Sequence, residues 1–315
     1  MKKNLFLLMT TLLAVVVFVS CNRNEDVDVP SNNMEEVKFS SNIITMNTQT
    51  RASGNTWHTN DAIGVYMYEE NSENVVENKK NVEYVTDDGG EVGSFRAEST
   101  VIYFPDNGDK VRFMAYYPYQ GNVAANGDVY EVNVADQSSQ SDIDLLYSFH
   151  KNAKYDKTTP DKKVPLVFDH QLTKIYVNVK AGEGLINEDL QNIGISFEGF
   201  NTKANFNLVN GVLDNPTVPA VIIPYSPSAK DGYAASFEAI VLPTASVPDA
   251  KITFDLKNGD GDTGVDSDAF SWNFNNALNE STQYTYNVTI NRSGIVVEAT
   301  INDWTGTEDS DIIAE

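Results

Sequence analysis

From residue 36 onward the chain is written largely in period two. "DAIGVYMYE" sets Ile63, Val65 and Met67 on one face. "KVRFMAYYPY" does the same with Val111, Phe113 and Ala115, and "TKIYVNVK" with Ile175, Val177 and Val179. The stretches "ASFEAIVLP", "AKITFDLKNG", "YTYNVTIN" and "IVVEATINDW" repeat the pattern, and each ends near Gly, Pro, Asn or Asp. Successive side chains of a strand point to opposite faces, so such alternation specifies strands with one face in a core. Asn210-Gly211 in "FNLVNGVLD" is a strong hairpin signal, because Asn and Gly tolerate the left-handed backbone of a tight turn. "TINRSGIVV" predicts a second, slightly longer hairpin loop. Helical patterns are confined to "SQSDIDLLYS" (139–148) and "GLINEDLQN" (184–192), enough for a turn or two each. Many strands, almost no helix and no fixed-period repeat give an all-β chain built of β-sandwiches.

The first 20 residues follow a different rule. Lys2 and Lys3 precede an apolar stretch, Leu5 to Val19, broken only by Thr10 and Thr11 and closed by the small Ser20. These are the parts of an export signal. The run is short for a membrane helix, which needs about 20 apolar residues, and no later stretch is long or apolar enough to span a bilayer. Cys21 follows directly and is the only cysteine in the chain. It can make no internal disulfide and no cysteine-only metal site. "FVSC" resembles a bacterial lipobox, with Phe18 where Leu is usual, and the resemblance implies a lipid on Cys21. A plain secretory signal with an incidental cysteine is the other reading. Glu25 and Asp26 lie in a polar tether, and "NRNEDVD" loosely resembles the acidic tag of some surface-exported lipoproteins.

About 280 residues remain after the tether, enough for two domains of ordinary size. The polar stretch "HKNAKYDKTTPDKK" (150–163) is the expected boundary. The division is a signal peptide 1–20, a lipidated tether 21–35, an N-terminal sandwich 36–155 and a C-terminal sandwich 156–315. The 45 Asp and Glu against 22 Lys and Arg argue against nucleic acid and anionic membrane surfaces as partners, since phosphates require cationic side chains. With no disulfide to help, packing must hold both domains.

Catalytic signatures are absent. No G-x-S-x-G elbow or Gly-rich phosphate loop occurs, and close carboxylate pairs arise by chance in so acidic a chain. His58, beside Trp57, and His170, in "FDHQLTK", read as structural residues. The acidic loop "NGDGDTGVDSD" (258–268) fails the EF-hand register, with Thr263 where Gly is needed and Ala269 where a bidentate Glu is needed. No metal site, cofactor or enzymatic activity is expected.

Five phrases in order carry a resemblance: "TRAS...W...DAIGVYM" (50–67), "IYFPDNGDKVRFMAYYPY" (102–119), "DIDLLYS" (142–148), "VPLVFDHQLTKIYVNV" (164–179) and "YTYNVTI...GIVVEATINDW" (284–304). Together they resemble the fimbrillin family, the type V pilins of Gram-negative anaerobes, in its minor-fimbrillin-like branch. The resemblance implies two tandem transthyretin-like sandwiches, no enzyme activity, export as a lipoprotein held in the outer membrane through Cys21, and assembly with other fimbrial subunits. Adhesion and biofilm contact with host or bacterial surface ligands follow from it. It also implies that an arginine-specific protease removes an N-terminal strand, whose place a neighbour's strand takes. Arg51, in the polar "NTQTRASGN", is then the cut site, and Ala52 the first mature residue. Val37, Phe39 and Ile43 lie at even spacing in the segment removed, with Ser41 interrupting. Ile295, Val297, Ala299 and Ile301 share one face of a strand that serves either as a donor or as a fixed part of the sandwich. The alternative function is a monomeric surface glycan-binding lipoprotein.

Overall fold

A computed structural model describes residues 34–43, 56–76, 78–214, 216–256 and 269–304, all within one compact unit. The first part of the chain holds β1 (Lys38–Ile43), β2 (Ala62–Glu69), β3 (Val82–Thr86), β4 (Val92–Ala97), β5 (Val111–Tyr117), β6 (Val129–Asn133), β7 (Leu146–Ser148) and β8 (Lys163–His170). There follow β9 (Thr173–Ala181), β10 (Gly194–Asn207), β11 (Val212–Leu213), β12 (Thr217–Ile222), β13 (Ala235–Val241), β14 (Ala250–Asp255), β15 (Ala269–Phe274), β16 (Thr282–Asn291) and β17 (Gly294–Asp303). The two helical stretches shrink to single turns, Gln140–Ile143 and Asn187–Leu190.

Seven strands, in the order β1-β4-β3-β2-β5-β7-β8, close into a barrel. The expected N-terminal sandwich therefore has no free sheet edge among these strands, and no open ladder invites another chain. Its interior takes the predicted set: Ile63, Val65 and Met67 from β2, and Val111, Phe113 and Ala115 from β5. The C-terminal strands form two sheets around a second core. One has β10 at its centre, flanked by β6, β11, β12 and β14, with β15 beyond β14; the other runs β13-β9-β16-β17. Ile175, Val177 and Val179 line this second core, as their spacing predicts. The Asn210-Gly211 hairpin joins β10 to β11, with Gly211 at φ +72°. The second hairpin is tighter than expected: Asn291 pairs with Gly294, leaving two residues in the turn.

The boundary expected at 155/156 does not fit the strand pairing. β8 lies beyond it, yet runs parallel to β1 and antiparallel to β7 inside the barrel. Val164, Leu166 and Phe168 of β8 alternate into the barrel core, so the polar stretch before it is a loop within the first unit rather than a join. β6 crosses the other way, pairing Val129 to Asn133 with Asn207 to Lys203 of β10. A third core fills the seam. Tyr66, Tyr68, Met114 and Tyr116, on the outer face of the barrel, pack with Tyr130, Phe206, Ile240 and Trp304. Both faces of β2 and β5 are thus buried.

Candidate functional site

β1 is the only barrel strand among those described that precedes Arg51, so it is the strand a cut there would separate. Val37, Phe39, Ser41 and Ile43 all point inward and are buried, while Lys38 and Asn42 face outward and are exposed. The backbone is paired on both sides. Phe39 to Asn42 run antiparallel to Phe95 to Val92 of β4, and Lys38 to Ile43 run parallel to Lys163 to Phe168 of β8. Just before β1, the Val37 N–H donates to the Ile102 carbonyl and the Phe104 N–H to the Glu35 carbonyl, both at 2.9 Å. Withdrawing this segment would leave two parallel rows of unpaired backbone groups with an apolar slot between them. Three buried apolar side chains hold β1 there, each worth about 1.5–3 kcal/mol on burial.

The slot has a shaped floor. The Phe39 ring meets Tyr84 edge-on at 4.9 Å and Phe113 at 5.1 Å. Farther along, Trp57 sits edge-to-face with Phe95, Tyr117 and Phe168 at 5.2–5.4 Å. Its backbone exchanges two hydrogen bonds with Gly90, each 2.8 Å. Two buried polar atoms here, Ser41 Oγ and Trp57 Nε1, have no hydrogen-bond partner among the described residues. Beside Ile43, a cavity of about 20 Å3, the size of one water molecule, is lined by Trp57, His58, Asp61, Tyr117 and Asp144, among others. Burial pushes the Asp61 carboxyl above its ordinary range, opposed by the hydrogen bond from the His58 backbone N–H.

The sequence-predicted residues fall into three groups. Val37, Phe39 and Ile43 come together in the barrel core. Ile295, Val297, Ala299 and Ile301 lie on one face of β17, packed against the second core, and β17 pairs with β16 from Gly294 to Asp303. Cys21, Arg51, Ala52 and the whole acidic loop 258–268 lie outside the described residues. His170 is fully buried, with Nδ1 2.9 Å from Asp144 Oδ1 and its ring stacked on Trp304 at 3.9 Å. That is a structural setting at the seam. His58 is exposed at a turn, where its backbone N–H donates to Asp61. Among the described residues no group of three or more His, Cys, Asp or Glu could hold a metal ion, and no helix is long and apolar enough to cross a membrane.

Trp57 is a wall of the barrel core. Sequence reasoning missed the role of Gly93. Gly93, opposite Ser41, carries no sequence signal except its place inside an alternating strand, a hint of close approach. A surface cleft of about 420 Å3 is lined by Tyr147, Phe149, Lys151 and Asn210, among others. It offers no free face of Phe149, because Tyr68 stacks on that ring at 5.3 Å and Lys151 Nζ lies 5.3 Å from its centre.

A family model described as fimbrillin-like matches residues 50–304. The chain is 36% identical, over 95% of its length and 94% of the relative's, to a Bacteroides uniformis protein assigned as the fimbrium subunit Fim1C. A crystal structure from Bacteroides uniformis, of a protein assigned to cell adhesion, is 32% identical. It superposes with a TM-score of 0.70 over 87% of this chain and 99% of that one. A Bacteroides ovatus structure at 23% identity shares the fold, with a TM-score of 0.64 over 88% of this chain and 99% of that one.

Proposed function

The chain belongs to the fimbrillin-like family, one of structural subunits rather than enzymes, and on that premise we propose that it is a fimbrial subunit armed by removal of its own β1. The chain is exported to the outer membrane as a lipoprotein through Cys21. While β1 occupies the barrel, the closed ladder leaves no edge to extend and the precursor stays monomeric. A cut after Arg51 severs β1 from the barrel, and a strand of a neighbouring subunit takes its place. Main-chain hydrogen bonds to β4 and β8 supply affinity, and alternate side chains entering the slot supply register. The filament so formed serves adhesion and biofilm contact.

The observation that supports this reading is the position of β1: paired on both sides, apolar side inward, and followed by the segment that carries Arg51. The test is Arg51→Ala. Exposed to an arginine-specific protease together with its fimbrial partners, wild type forms ladders in detergent gels run without boiling, and the mutant stays monomeric. Equal assembly of the uncleavable mutant refutes the reading, as does cut wild type that stays monomeric beside its partners. A glycan binder would instead be retained on polysaccharide columns without forming a ladder.

A further inference from the structure

The inward face of β1 is uneven. Val37, Phe39 and Ile43 are large, but Ser41 between them is small and polar, and its hydroxyl is buried without a hydrogen-bond partner among the described residues. Opposite it stands Gly93. A Cβ on Gly93 would lie 3.0 Å from Trp57 Cδ1, 3.1 Å from Phe95 Cε2 and 3.1 Å from Ser41 Oγ. The space above Gly93 is therefore already filled by the serine hydroxyl and the indole edge. The indole has little freedom to yield, since three rings hold it edge-on and its backbone is bonded to Gly90.

We infer that the vacated groove is a size filter: it selects a partner strand with a side chain no larger than alanine or serine opposite Gly93, flanked two residues away on each side by large apolar ones. This rests on the strand-replacement reading above and specifies its partner. A valine or leucine at the position would have to push the Trp57 ring out of its aromatic contacts. Alanine fits and also removes an unsatisfied buried hydroxyl, a group that destabilises wherever it is kept from water. β1 is thus a second-best occupant of its own groove, and an incoming strand with alanine there outcompetes it. The order of sizes, with the aromatic position two residues before the small one, also fixes direction: parallel to β8 and antiparallel to β4.

The test uses full-length chain cut after Arg51 and fluorescent synthetic peptides spanning residues 34–45, with Ser, Ala, Val or Leu at position 41. Tracer displacement should rank Ala above Ser by about tenfold, the factor expected for relieving one unsatisfied buried hydroxyl. Val and Leu should fall at least tenfold below Ser. If the Ser peptide rebinds and all four bind alike, or Val binds best, the filter is refuted while strand replacement stands. If no peptide, including the native β1 sequence, rebinds cut protein, it is the replacement reading that fails. In the uncut chain, Gly93→Ala should lower the melting temperature, and adding Ser41→Gly should restore part of the loss. Additive losses would also refute the filter.

Discussion

Phe39→Ala tests whether β1 holds the barrel shut. The ring is 2% exposed and touches two aromatic neighbours edge-on, Tyr84 and Phe113. Truncating a buried Phe to Ala typically costs about 3–5 kcal/mol, because lost transfer energy adds to the cavity left behind. Edge-to-face pairs contribute roughly 0.5–1.5 kcal/mol each beyond burial, which places this site toward the upper end. A loss of about 4 kcal/mol corresponds to a fall in melting temperature on the order of 10 °C for a chain of this size. Guanidinium and thermal melts of the uncut chain, followed by tryptophan fluorescence, measure it. Lys38→Ala on the outward face is the control and should stay within about 0.5 kcal/mol of wild type. The decisive contrast comes after cutting at Arg51. The released segment, with Ala in place of Phe39, leaves the mutant about a thousandfold more readily than it leaves wild type for a loss of that size. The remaining protein should then be indistinguishable between mutant and wild type. A melting shift below about 3 °C for the uncut mutant would overturn the assignment of β1 as an energetically important strand.

Other outcomes follow from the same structure. Lys174 Nζ and Glu238 Oε2 form a buried ion pair at 2.7 Å. Glu238→Gln should cost about 3–5 kcal/mol in denaturant melts, while the double change Lys174→Met with Glu238→Leu should recover most of it, since each charge is costly only without the other. Burial pushes the hydroxyls of Tyr66, Tyr68, Tyr116, Tyr117, Tyr130, Tyr147 and Tyr286 upward, and that of Tyr84 to about 12. Folded pKa values raised above the unfolded value of about 10 mean full stability below pH 10 and steep loss as pH rises through 12. Tyrosinate absorbance should therefore appear together with loss of tertiary structure; ionisation well ahead of unfolding would contradict these burials. Cys21→Ala should accumulate an unlipidated precursor that does not reach the cell surface, read by metabolic labelling with an acyl probe and by surface proteolysis.

Period-two alternation made the inward residues of most strands legible, because it records which face meets a core. Val37, Phe39 and Ile43 were found this way, as were Ile175, Val177 and Val179. The seam was not legible. Tyr66, Tyr68 and Tyr116 occupy positions that alternation assigns to solvent, and they are buried because the second half of the molecule packs on them. Nothing local in the sequence announces that. The same holds for β8, whose parallel pairing with β1 joins residues more than a hundred positions apart, and for β6, whose partner is β10. At the candidate site the sequence showed Ser41 only as an interruption. Its meaning lies in Gly93 across the ladder and Trp57 beside it, a relation set by register.

The β6–β10 ladder has a mechanical consequence. Five residue pairs, from Asn133 with Lys203 to Val129 with Asn207, anchor β6, the strand that lies between barrel strands β5 and β7 in the chain, in the C-terminal sheet. Tension drawn along those strands loads the bonds of the ladder side by side, in shear, whereas a hairpin pulled open from its end breaks its bonds one after another. The aromatic seam beneath the ladder resists twisting. Under flow, a filament of such subunits would flex and yield at the junctions between neighbours, and each subunit would behave as a stiff link.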